Sequence, residues 1–433
     1  MPSPQPFAGI QVVEFGQFIA VPYCAQLLAE GGAHVIKIES LEGDPVRQLS
    51  PLAPGETRHF ISRNRGKHSL PLDLKHPDAQ RVIDALLARA DVVLTNLRPG
   101  LAKDLGLDYA SLCKRFPRLV VGNVTAFGDE GPDAKLAGMD LVVQARSGLM
   151  AANGRIRDGL PMAGDPPIID YMCAMTLAFG VSSALFRREQ TGLGGEVDVN
   201  LLMAALALQT NFILRVDAVD GPVHRDALRQ LAEARQDGST FAEQVAVLPA
   251  ARANYMSGVY YRTYATKDSF VAVACASPAL QRALGRAVGF EDGAHTGSIP
   301  REDLPRHYAA LQHHAEVLLR ARTTADWKPI FDAHGIPASS VKFQLELLDD
   351  PQVLANGMVY DMPHPALGNV RVLANPVRLD GEGFRPGQAT ATFGSESRQL
   401  LNELGFDAGA VDAFVTSRLT HDGPSPLAAV IPR

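Results

Sequence analysis

Short apolar strands alternate with helical segments from the N-terminus to about residue 130, and this alternation constrains the fold more than any other feature. The strand-like runs lie at 10–15, 34–39, 91–96 and 119–124, and the helical runs lie at 22–30 and 77–90. Strands that are joined through helices by short connections form parallel sheets, because each helix returns the chain to the same edge. The pattern predicts an α/β fold with a large, doubly wound, Rossmann-like parallel sheet.

The alternation of strands and helices ends near residue 130, and the pattern of the later sequence predicts further domains. We assign a large α/β domain to 1–200, a linker helix to 201–225, a small α+β domain to 226–335, and a C-terminal segment that returns to the large domain to 336–433. The apolar residues 199–214 favour one helix across the first boundary. Strand-like runs at 259–264 and 270–274 indicate the sheet of the small domain.

Composition excludes several classes of protein. The net charge of −6 and the lack of a Lys/Arg run argue against a nucleic-acid partner. Four scattered cysteines without a CxxC pair, and histidines without ligand spacing, favour reduced core residues over a disulfide framework or a metal site. The N-terminus lacks the pattern of a signal peptide. The apolar run 168–186 suits a buried core helix better than a membrane span. We therefore expect a cytoplasmic protein without a membrane partner.

The first turn of the predicted sheet argues against a dinucleotide site. The Rossmann fingerprint needs clustered glycines so that the backbone can approach a pyrophosphate. Residues 15–22 contain one glycine, Gly16. The chain also lacks a GxxxxGK[ST] phosphate loop and a GxSxG nucleophile elbow. The glycines at 192–195 follow a helix and are typical of a helix C-cap.

Basic side chains follow the predicted strands, where a parallel sheet binds its ligand. The set comprises Arg63, Arg65, Lys67, Lys75, Arg98 and Lys103. Each one alone is typical of a solvated surface. The concentration at 63–67 suits a ligand with several phosphates.

Asp170 is the one charged side chain in an apolar run from 168 to 181, and a Gly/Pro-rich stretch at 164–167 precedes it. We expect it in the first turn of a buried helix, where a charge is costly. One explanation is an acid that complements the helix dipole. The other is a carboxylate nucleophile, kept ionised by the helix N-terminus in a partly dry pocket.

Several segments together resemble the family III coenzyme A transferases, the CaiB/BaiF group, which includes carnitine and formyl CoA-transferases and α-methylacyl-CoA racemases. The matching stretches are 25–39, 43–47, 64–75, 90–100, 126–132 and 191–199, with further matches at 335–337 and 350–353. The resemblance covers nearly the whole chain. It implies a large doubly wound domain, a smaller α+β domain and an interlocked homodimer, in which the apolar residues 199–214 suit a buried interface.

The resemblance also implies a mechanism. Asp170 matches the family's nucleophilic aspartate, which attacks an acyl-CoA and forms a mixed anhydride. The released CoA then gives an aspartyl-CoA thioester, and a carboxylic acid takes the CoA. No permanently bound cofactor and no metal is expected, because CoA and acyl-CoA are substrates.

The family's CoA contacts map onto a defined set of residues here. They are Ile19, Ala20, Leu72, Lys75, Asn96, Leu97 and Arg98. The chain departs from its relatives at Ser40 and Asp104, where arginine is frequent. We therefore expect Lys103 or Arg47 to bind the 3′-phosphate instead.

Racemases of this family carry a histidine in a Gly-His-Asp segment, and this chain has Gly138-Met139-Asp140. Inversion needs a second acid/base, and methionine cannot transfer a proton. A CoA-transferase is therefore favoured, with a racemase or a noncatalytic CoA-binding protein as alternatives. Succinyl-CoA is the default donor, and Arg146 and Arg155 are candidates for holding a substrate carboxylate.

Overall fold

A computed structural model describes residues 5–247, 257–385 and 387–423. The strands are β1 (Gln11–Phe15), β2 (His34–Glu39), β3 (Pro51–Ala53), β4 (Glu56–Thr57), β5 (Lys67–Pro71), β6 (Val92–Thr95), β7 (Val120–Thr125), β8 (Ile156–Arg157), β9 (Leu160–Pro161), β10 (Gly195–Asn200), β11 (Tyr261–Ala265), β12 (Phe270–Ala274), β13 (Ala338–Ser340), β14 (Val359–His364), β15 (Gly368–Leu373), β16 (Arg378–Leu379) and β17 (Glu382–Gly383). The helices are α1 (Ala20–Glu30), α2 (Arg58–Asn64), α3 (Ala79–Leu87), α4 (Pro99–Asp104), α5 (Tyr109–Arg115), α6 (Asp140–Arg146), α7 (Leu149–Asn153), α8 (Ile168–Thr191), α9 (Leu201–Ala207), α10 (Thr210–Ile213), α11 (Asp217–Gln236), α12 (Phe241–Val247), α13 (Ser257–Tyr260), α14 (Pro278–Val288), α15 (Leu304–Leu319), α16 (Thr324–Ala333), α17 (Pro351–Ala355), α18 (Ser397–Glu403) and α19 (Ala408–Thr416). Short 3₁₀ helices lie at Pro45–Gln48, Gly293–Thr296, Arg301–Asp303 and Gln344–Asp349.

Six strands form one parallel sheet in the order β10-β7-β6-β1-β2-β5. The chain leaves β1 towards β2 and β5, and then returns to the other side of β1 with β6. The strand order therefore reverses between β1 and β6, and open α/β sheets bind ligands in the crevice beyond such a point. The predicted mixed α/β fold with a parallel sheet is confirmed.

Helix α8 covers one face of this sheet. Its residues Ile169, Cys173, Leu177, Val181 and Leu185 are buried and recur every four positions, so they form one apolar stripe. Burying such side chains contributes about 1.5–3 kcal/mol each. At Gly180 a Cβ atom would lie 2.4 Å from Val197 Cγ1, so only glycine permits this close approach to β10.

Helix α8 is also long and apolar enough to cross a membrane by length and composition, with a mean hydropathy of 1.5 in its best window. The core helix of a soluble protein passes the same test. Its buried stripe packs in the hydrophobic core with residues of β6, β7 and α1. The outer face leaves Phe179 and Phe186 exposed.

The chain divides into two compact units. The large unit comprises Met1–Ala218, Gly238–Val245 and Ala355–Arg433, and the small unit comprises Val219–Asp237 and Ala246–Leu354. In the small unit, β11, β12 and β13 form an antiparallel sheet around a core that includes the stacked rings of Trp327 and Phe331. Our predicted boundaries were 200, 225 and 335. Residues 248–256 of the predicted small domain lie outside the described residues.

Two predicted elements differ from the structure for identifiable reasons. The single helix expected over 199–214 begins only at Leu201, because Val199 and Asn200 belong to β10, and it is divided into α9 and α10 at Leu208 and Gln209. The side chain of Asn200 then accepts the Met203 N–H at 2.7 Å and caps α9. The strand expected over 259–264 begins at Tyr261, since the preceding residues form α13, where Tyr260 donates its hydroxyl to Asp292 at 2.8 Å.

Candidate active site

The turn between β1 and α1 is held by a residue that follows β6, the strand next to β1 in the sheet. The Asn96 side chain, just after β6, accepts the Gln17 N–H at 3.0 Å and donates to the Gln17 carbonyl at 2.9 Å. Phe18 follows with φ of 66°, a left-handed conformation that is rare for a bulky residue. Asn96 therefore fixes the turn across the point where the strand order reverses.

A buried cluster of ion pairs also fixes the turn between β1 and α1. The Lys37 ammonium lies 3.0 Å from Glu14 Oε1 and 2.9 Å from Asp44 Oδ2, and it donates to the Gly16 carbonyl at 2.6 Å. Burial opposes the charge on Lys37, but the carboxylates of Asp44 and Glu14 outweigh it and hold its pKa above the usual range. Such a paired cluster is rigid, because breaking it would leave a buried charge without a partner.

Asp170 occupies the first turn of α8 and is half-buried. Neither of its carboxylate oxygens accepts a hydrogen bond from any side chain or N–H group that the structure describes. The helix is capped by another residue, Asp140 of α6, whose Oδ2 accepts the N–H groups of Ile169 at 2.9 Å and Asp170 at 3.2 Å. Asp140 therefore caps the helix, whereas Asp170 is the acid of its first turn and its carboxylate accepts no hydrogen bond from the described residues.

Burial raises the pKa of Asp170 to about 7; the nearby charge of Asp140 adds to the rise, and the charge of Arg63 opposes it. We expected the helix N-terminus to keep Asp170 ionised, but burial outweighs it and favours the protonated form below pH 7. A carboxylate with a higher pKa is a better nucleophile once it is ionised. Burial and Asp170 also raise the pKa of the neighbouring Cys173 thiol to about 12, so this thiol does not compete as a nucleophile.

Asp170 lines a cavity of about 500 Å³ at the carboxyl edge of the sheet. Its other lining residues are Gln17, Phe18, Ile19, Ala20, Asn96, Leu97, Arg98, Leu101, Val124, Thr125, Ala126, Ala134, Leu136, Ala137, Gly138, Met139 and Leu201. Asp170 is the one carboxylate among the described lining residues. Met139, which is 51% exposed, supplies a thioether where a racemase needs a base.

Five of the predicted CoA-binding residues line this same cavity, namely Ile19, Ala20, Asn96, Leu97 and Arg98. Lys75 and Lys103 do not line it; they are exposed, Lys75 beyond β5 and Lys103 in α4. Within the described parts of the chain, no carboxylate pairs with Lys75, Arg98 or Lys103. The Leu72 side chain is buried in the core, and its N–H donates to the Glu39 carbonyl at 2.7 Å.

Arg47 lies elsewhere, and its geometry does not fit the expected phosphate contact. Its guanidinium is buried, bonds both oxygens of Glu39 at 2.7 and 2.9 Å, and lies 3.4 Å from Glu56. The same group lies 3.4 Å above the centre of the Phe60 ring. Burial opposes ionisation of Glu39, but Arg47 outweighs it and lowers the pKa of Glu39 to about 2. Arg47 is a structural residue, as are Arg65 and Lys67, which pair with Glu30 and Glu14.

The sequence did not single out Arg63 and Asp140 for the roles they have here. Arg63 is buried and donates from Nε to the Tyr171 hydroxyl at 3.2 Å, next to Asp170. Asp140 had been noted only as part of the Gly-Met-Asp segment. Its position between a glycine and an apolar helix was the available signal. The candidate carboxylate anchors Arg146 and Arg155 are both exposed, and Arg146 pairs with Asp133 at 3.0 Å.

Comparison with known proteins gives a consistent picture. The family model described as CoA-transferase family III matches residues 7–396. The cinnamoyl-CoA:phenyllactate CoA-transferase of Clostridium sporogenes is 28% identical over 92% of this chain and 93% of its own length. The succinyl-CoA–D-citramalate CoA-transferase of Chloroflexus aurantiacus is 30% identical over 93% and 94%. The crystal structure of Rv3272 from Mycobacterium tuberculosis superposes with a TM-score of 0.73 at 25% identity, over 91% of this chain and 98% of that one.

Proposed function

The chain belongs to CoA-transferase family III, and on this premise we propose that it moves CoA from an acyl-CoA to a carboxylic acid through covalent intermediates on Asp170. One observation carries the proposal. The Asp170 carboxylate, free of hydrogen bonds from the described residues, lines a cavity of about 500 Å³ that also reaches the first turn of the sheet. A nucleophile needs this freedom, and the raised pKa strengthens it.

The chemistry proceeds in four transfers at one carboxylate. An oxygen of Asp170 attacks the thioester carbon, a C–O bond forms, the C–S bond breaks, and CoA leaves as a thiolate. The thiolate attacks Cγ of Asp170, which gives the aspartyl-CoA thioester and releases the donor's acid. The acceptor carboxylate then attacks Cγ and displaces CoA thiolate, which attacks the new acyl carbon and frees Asp170. No net proton is exchanged, and exclusion of water prevents hydrolysis of the anhydride.

The CoA moiety is proposed to enter over the first turn. The pantetheine arm would lie against Ile19, Ala20 and Leu97 in the cavity. Arg98, Lys75 and Lys103 are exposed cations without a carboxylate partner in the described residues, which suits the diphosphate and 3′-phosphate. Arg47 is left out of this set, because its guanidinium is engaged by Glu39 and Glu56.

Racemisation receives no support from this cavity. A two-base inversion needs a second acid/base facing the substrate, and Met139 lies at the position where racemases carry histidine. Besides Asp170, the only ionisable side chain among the described lining residues is Arg98, whose guanidinium stays protonated.

Succinyl-CoA is our proposed donor, since the related transferases from Chloroflexus aurantiacus and mouse carry that substrate in their names. We also propose a homodimer in the cytoplasm. The exposed apolar side chains of α8 to α10 support the dimer, because single soluble chains rarely expose such surfaces. They include Phe179, Phe186, Met203, Phe212 and Ile213.

The test is an acceptor screen. The protein is incubated with succinyl-CoA and, separately, glutarate, D-citramalate or phenyllactate, and new acyl-CoA thioesters are identified by liquid chromatography and mass spectrometry. We expect at least one new thioester, and a loss of more than about 10³-fold in Asp170→Asn. Asp158→Asn, in the exposed turn between β8 and β9, is the matched control. A protein that binds CoA but forms no thioester with any of these acids would contradict the proposal.

A further inference from the structure

Arg63 differs from the other buried arginines of the described chain. The buried set is Arg47, Arg63, Arg65 and Arg188. Three of them have a carboxylate partner, at 2.7 Å for Arg47 with Glu39, 2.8 Å for Arg65 with Glu30 and 2.9 Å for Arg188 with Asp91. Arg63 is only 6% exposed, yet no carboxylate oxygen of the described residues lies within 4.0 Å of its guanidinium. A buried charge without a counterion is costly, so its retention requires a reason.

The contacts of Arg63 are neutral and fix its direction. Nε donates to the Tyr171 hydroxyl at 3.2 Å, and Nη1 donates to the His59 carbonyl at 3.2 Å and lies 3.4 Å from His59 Nδ1. The second terminal nitrogen, Nη2, has no hydrogen-bond partner among the described residues. The guanidinium is therefore held in a fixed direction by Nε and Nη1, while Nη2 remains available as a donor. Its planar fork of N–H groups is the geometry that binds a carboxylate.

Arg63 contacts the first turn of α8, the turn that carries Asp170. Tyr171 follows Asp170 in the first turn of α8, and the charge of Arg63 acts on the Asp170 carboxylate. Asp170 lines the cavity of about 500 Å³, and Tyr171 lines a second cavity of about 1000 Å³. Two neighbouring residues in the first turn of α8 thus line different cavities, and Arg63 is hydrogen-bonded to the second of them, Tyr171.

We propose that Arg63 binds the reacting carboxylate of the acid substrate and holds it beside Asp170; the assignment rests on the proposed transferase function. The acid must bring a negative charge close to Asp170 and Asp140, which repel it, and a nearby cation offsets this repulsion. A phosphate of CoA is a weaker match. The exposed cations that suit phosphates lie beyond β5 and β6, and the neighbours of Arg63 in sequence, Arg65 and Lys67, are already paired.

The test separates loading of the enzyme from its discharge. The protein is loaded with succinyl-CoA, excess donor is removed, and succinate is titrated while the CoA-sized mass on the protein is followed. Succinate must discharge the loaded enzyme if succinyl-CoA loads it, because the step is reversible. Butyryl-CoA with butanoate provides a parallel pair in which the acid has one carboxylate.

We expect Arg63→Gln to need about 10- to 100-fold more acid for half-discharge with both pairs, in line with the loss of a bidentate charged contact. Arg282→Gln, at an exposed position of α14 in the small unit, is the matched control and should behave as the wild type does. Arg63→Lys keeps the charge without the fork, and we expect an intermediate, several-fold rise.

Each other outcome is informative. Wild-type discharge curves for Arg63→Gln overturn the assignment of Arg63 but leave the transferase intact. If Arg63→Gln fails to fold, as judged by its thermal melt, an unchanged curve for Arg63→Lys overturns the assignment. A shift with succinate alone would mean that Arg63 binds the remote carboxylate, which also overturns it. A wild type that neither donor loads contradicts the transferase function itself, and the role of Arg63 with it.

Discussion

Asp140 lies thirty residues before Asp170 in the chain, and its Oδ2 accepts the backbone N–H of Asp170 at 3.2 Å. The same oxygen accepts the Ile169 N–H at 2.9 Å. One carboxylate therefore caps the helix that carries the other and also raises its pKa through like charge. The arrangement positions Asp170, the proposed nucleophile, and makes its carboxylate more basic at the same time.

Asp140→Asn should separate these two effects. The amide oxygen can still accept a backbone hydrogen bond, but the like charge is gone, so the pKa of Asp170 falls towards its ordinary value. We expect kcat/KM for acyl-CoA to fall at a lower pH than in the wild type; this acidic fall is the acidic limb of the pH profile. The constant value of kcat/KM above the limb should also be lower, because Asp170 is then less basic. Asp133→Asn, at the half-buried carboxylate that pairs with the exposed Arg146, is the control. An unchanged limb would show that Asp140 acts only as a cap.

The wild-type pH profile follows from the pKa of about 7 at Asp170. Only the ionised carboxylate attacks, so kcat/KM for acyl-CoA should fall about tenfold for each pH unit below 7. Asp140 and Arg63 are the charged groups that act on Asp170. Arg63→Gln should therefore move the limb to higher pH, opposite to Asp140→Asn. A rate that stays constant down to pH 5 would contradict this account.

Asp170→Asn should also stabilise the fold at alkaline pH. A carboxylate whose pKa is raised by folding destabilises the native state as the pH rises from the unfolded to the folded value. The substitution removes that penalty, on the order of 4 kcal/mol above pH 7, and the gain should vanish near pH 4. Thermal unfolding at pH 4, 6 and 8 measures this trend. An equal melting temperature for both proteins at pH 8 would argue against a strained carboxylate.

Asn96→Ala should loosen the first turn without unfolding the sheet. The substitution removes both hydrogen bonds to the Gln17 backbone, so the turn that holds Phe18 at φ 66° loses its support. We expect KM for acyl-CoA to rise by about 10-fold or more, with a smaller change in kcat, because binding of CoA is affected first. Asn123→Ala on the neighbouring strand β7 is the control. Equal KM values for the two variants would remove Asn96 from the CoA site.

Arg47→Met should affect stability instead of binding. It leaves Glu39 and Glu56 buried without their cation, at a cost of about 3–5 kcal/mol. Chemical denaturation measures this cost, and equilibrium binding of CoA to the folded protein should change little. Lys75→Ala and Lys103→Ala should show the reverse, weaker CoA binding with unchanged stability. Weak CoA binding by a stable Arg47→Met protein would restore Arg47 as a phosphate ligand.

Much of the sheet could be predicted from the sequence, because its central strands are apolar runs bounded by turn residues. Strand β2 has the predicted bounds. Strand β5 was missed, since it begins with Lys67, whose buried charge is compensated by Glu14 at 2.7 Å. Strand β10 was missed because its first residue, Gly195, reads locally as part of a helix C-cap. Both strands depend on partners distant in sequence.

The residues of the site also divide into those with a local sequence signal and those whose role depends on partners distant in sequence. Asp170 could be proposed from the sequence because a lone charge in an apolar run is a local signal. The role of Asp140 depends on α6 packing against the start of α8, which no local pattern encodes. Arg47 was misassigned for a related reason. An arginine that pairs with a phosphate and one that pairs with Glu39 look alike in sequence, and only the fold distinguishes them.

The most direct test of the account is the intact mass of the protein after brief incubation with succinyl-CoA. We predict a CoA-sized adduct on the wild type, located by peptide mapping at Asp170, and no adduct on Asp170→Ala. Hydroxylamine should remove the adduct, because it cleaves thioesters and anhydrides. Wild-type turnover without any adduct on rapid quenching, or an adduct that persists in Asp170→Ala, would contradict a covalent mechanism at Asp170.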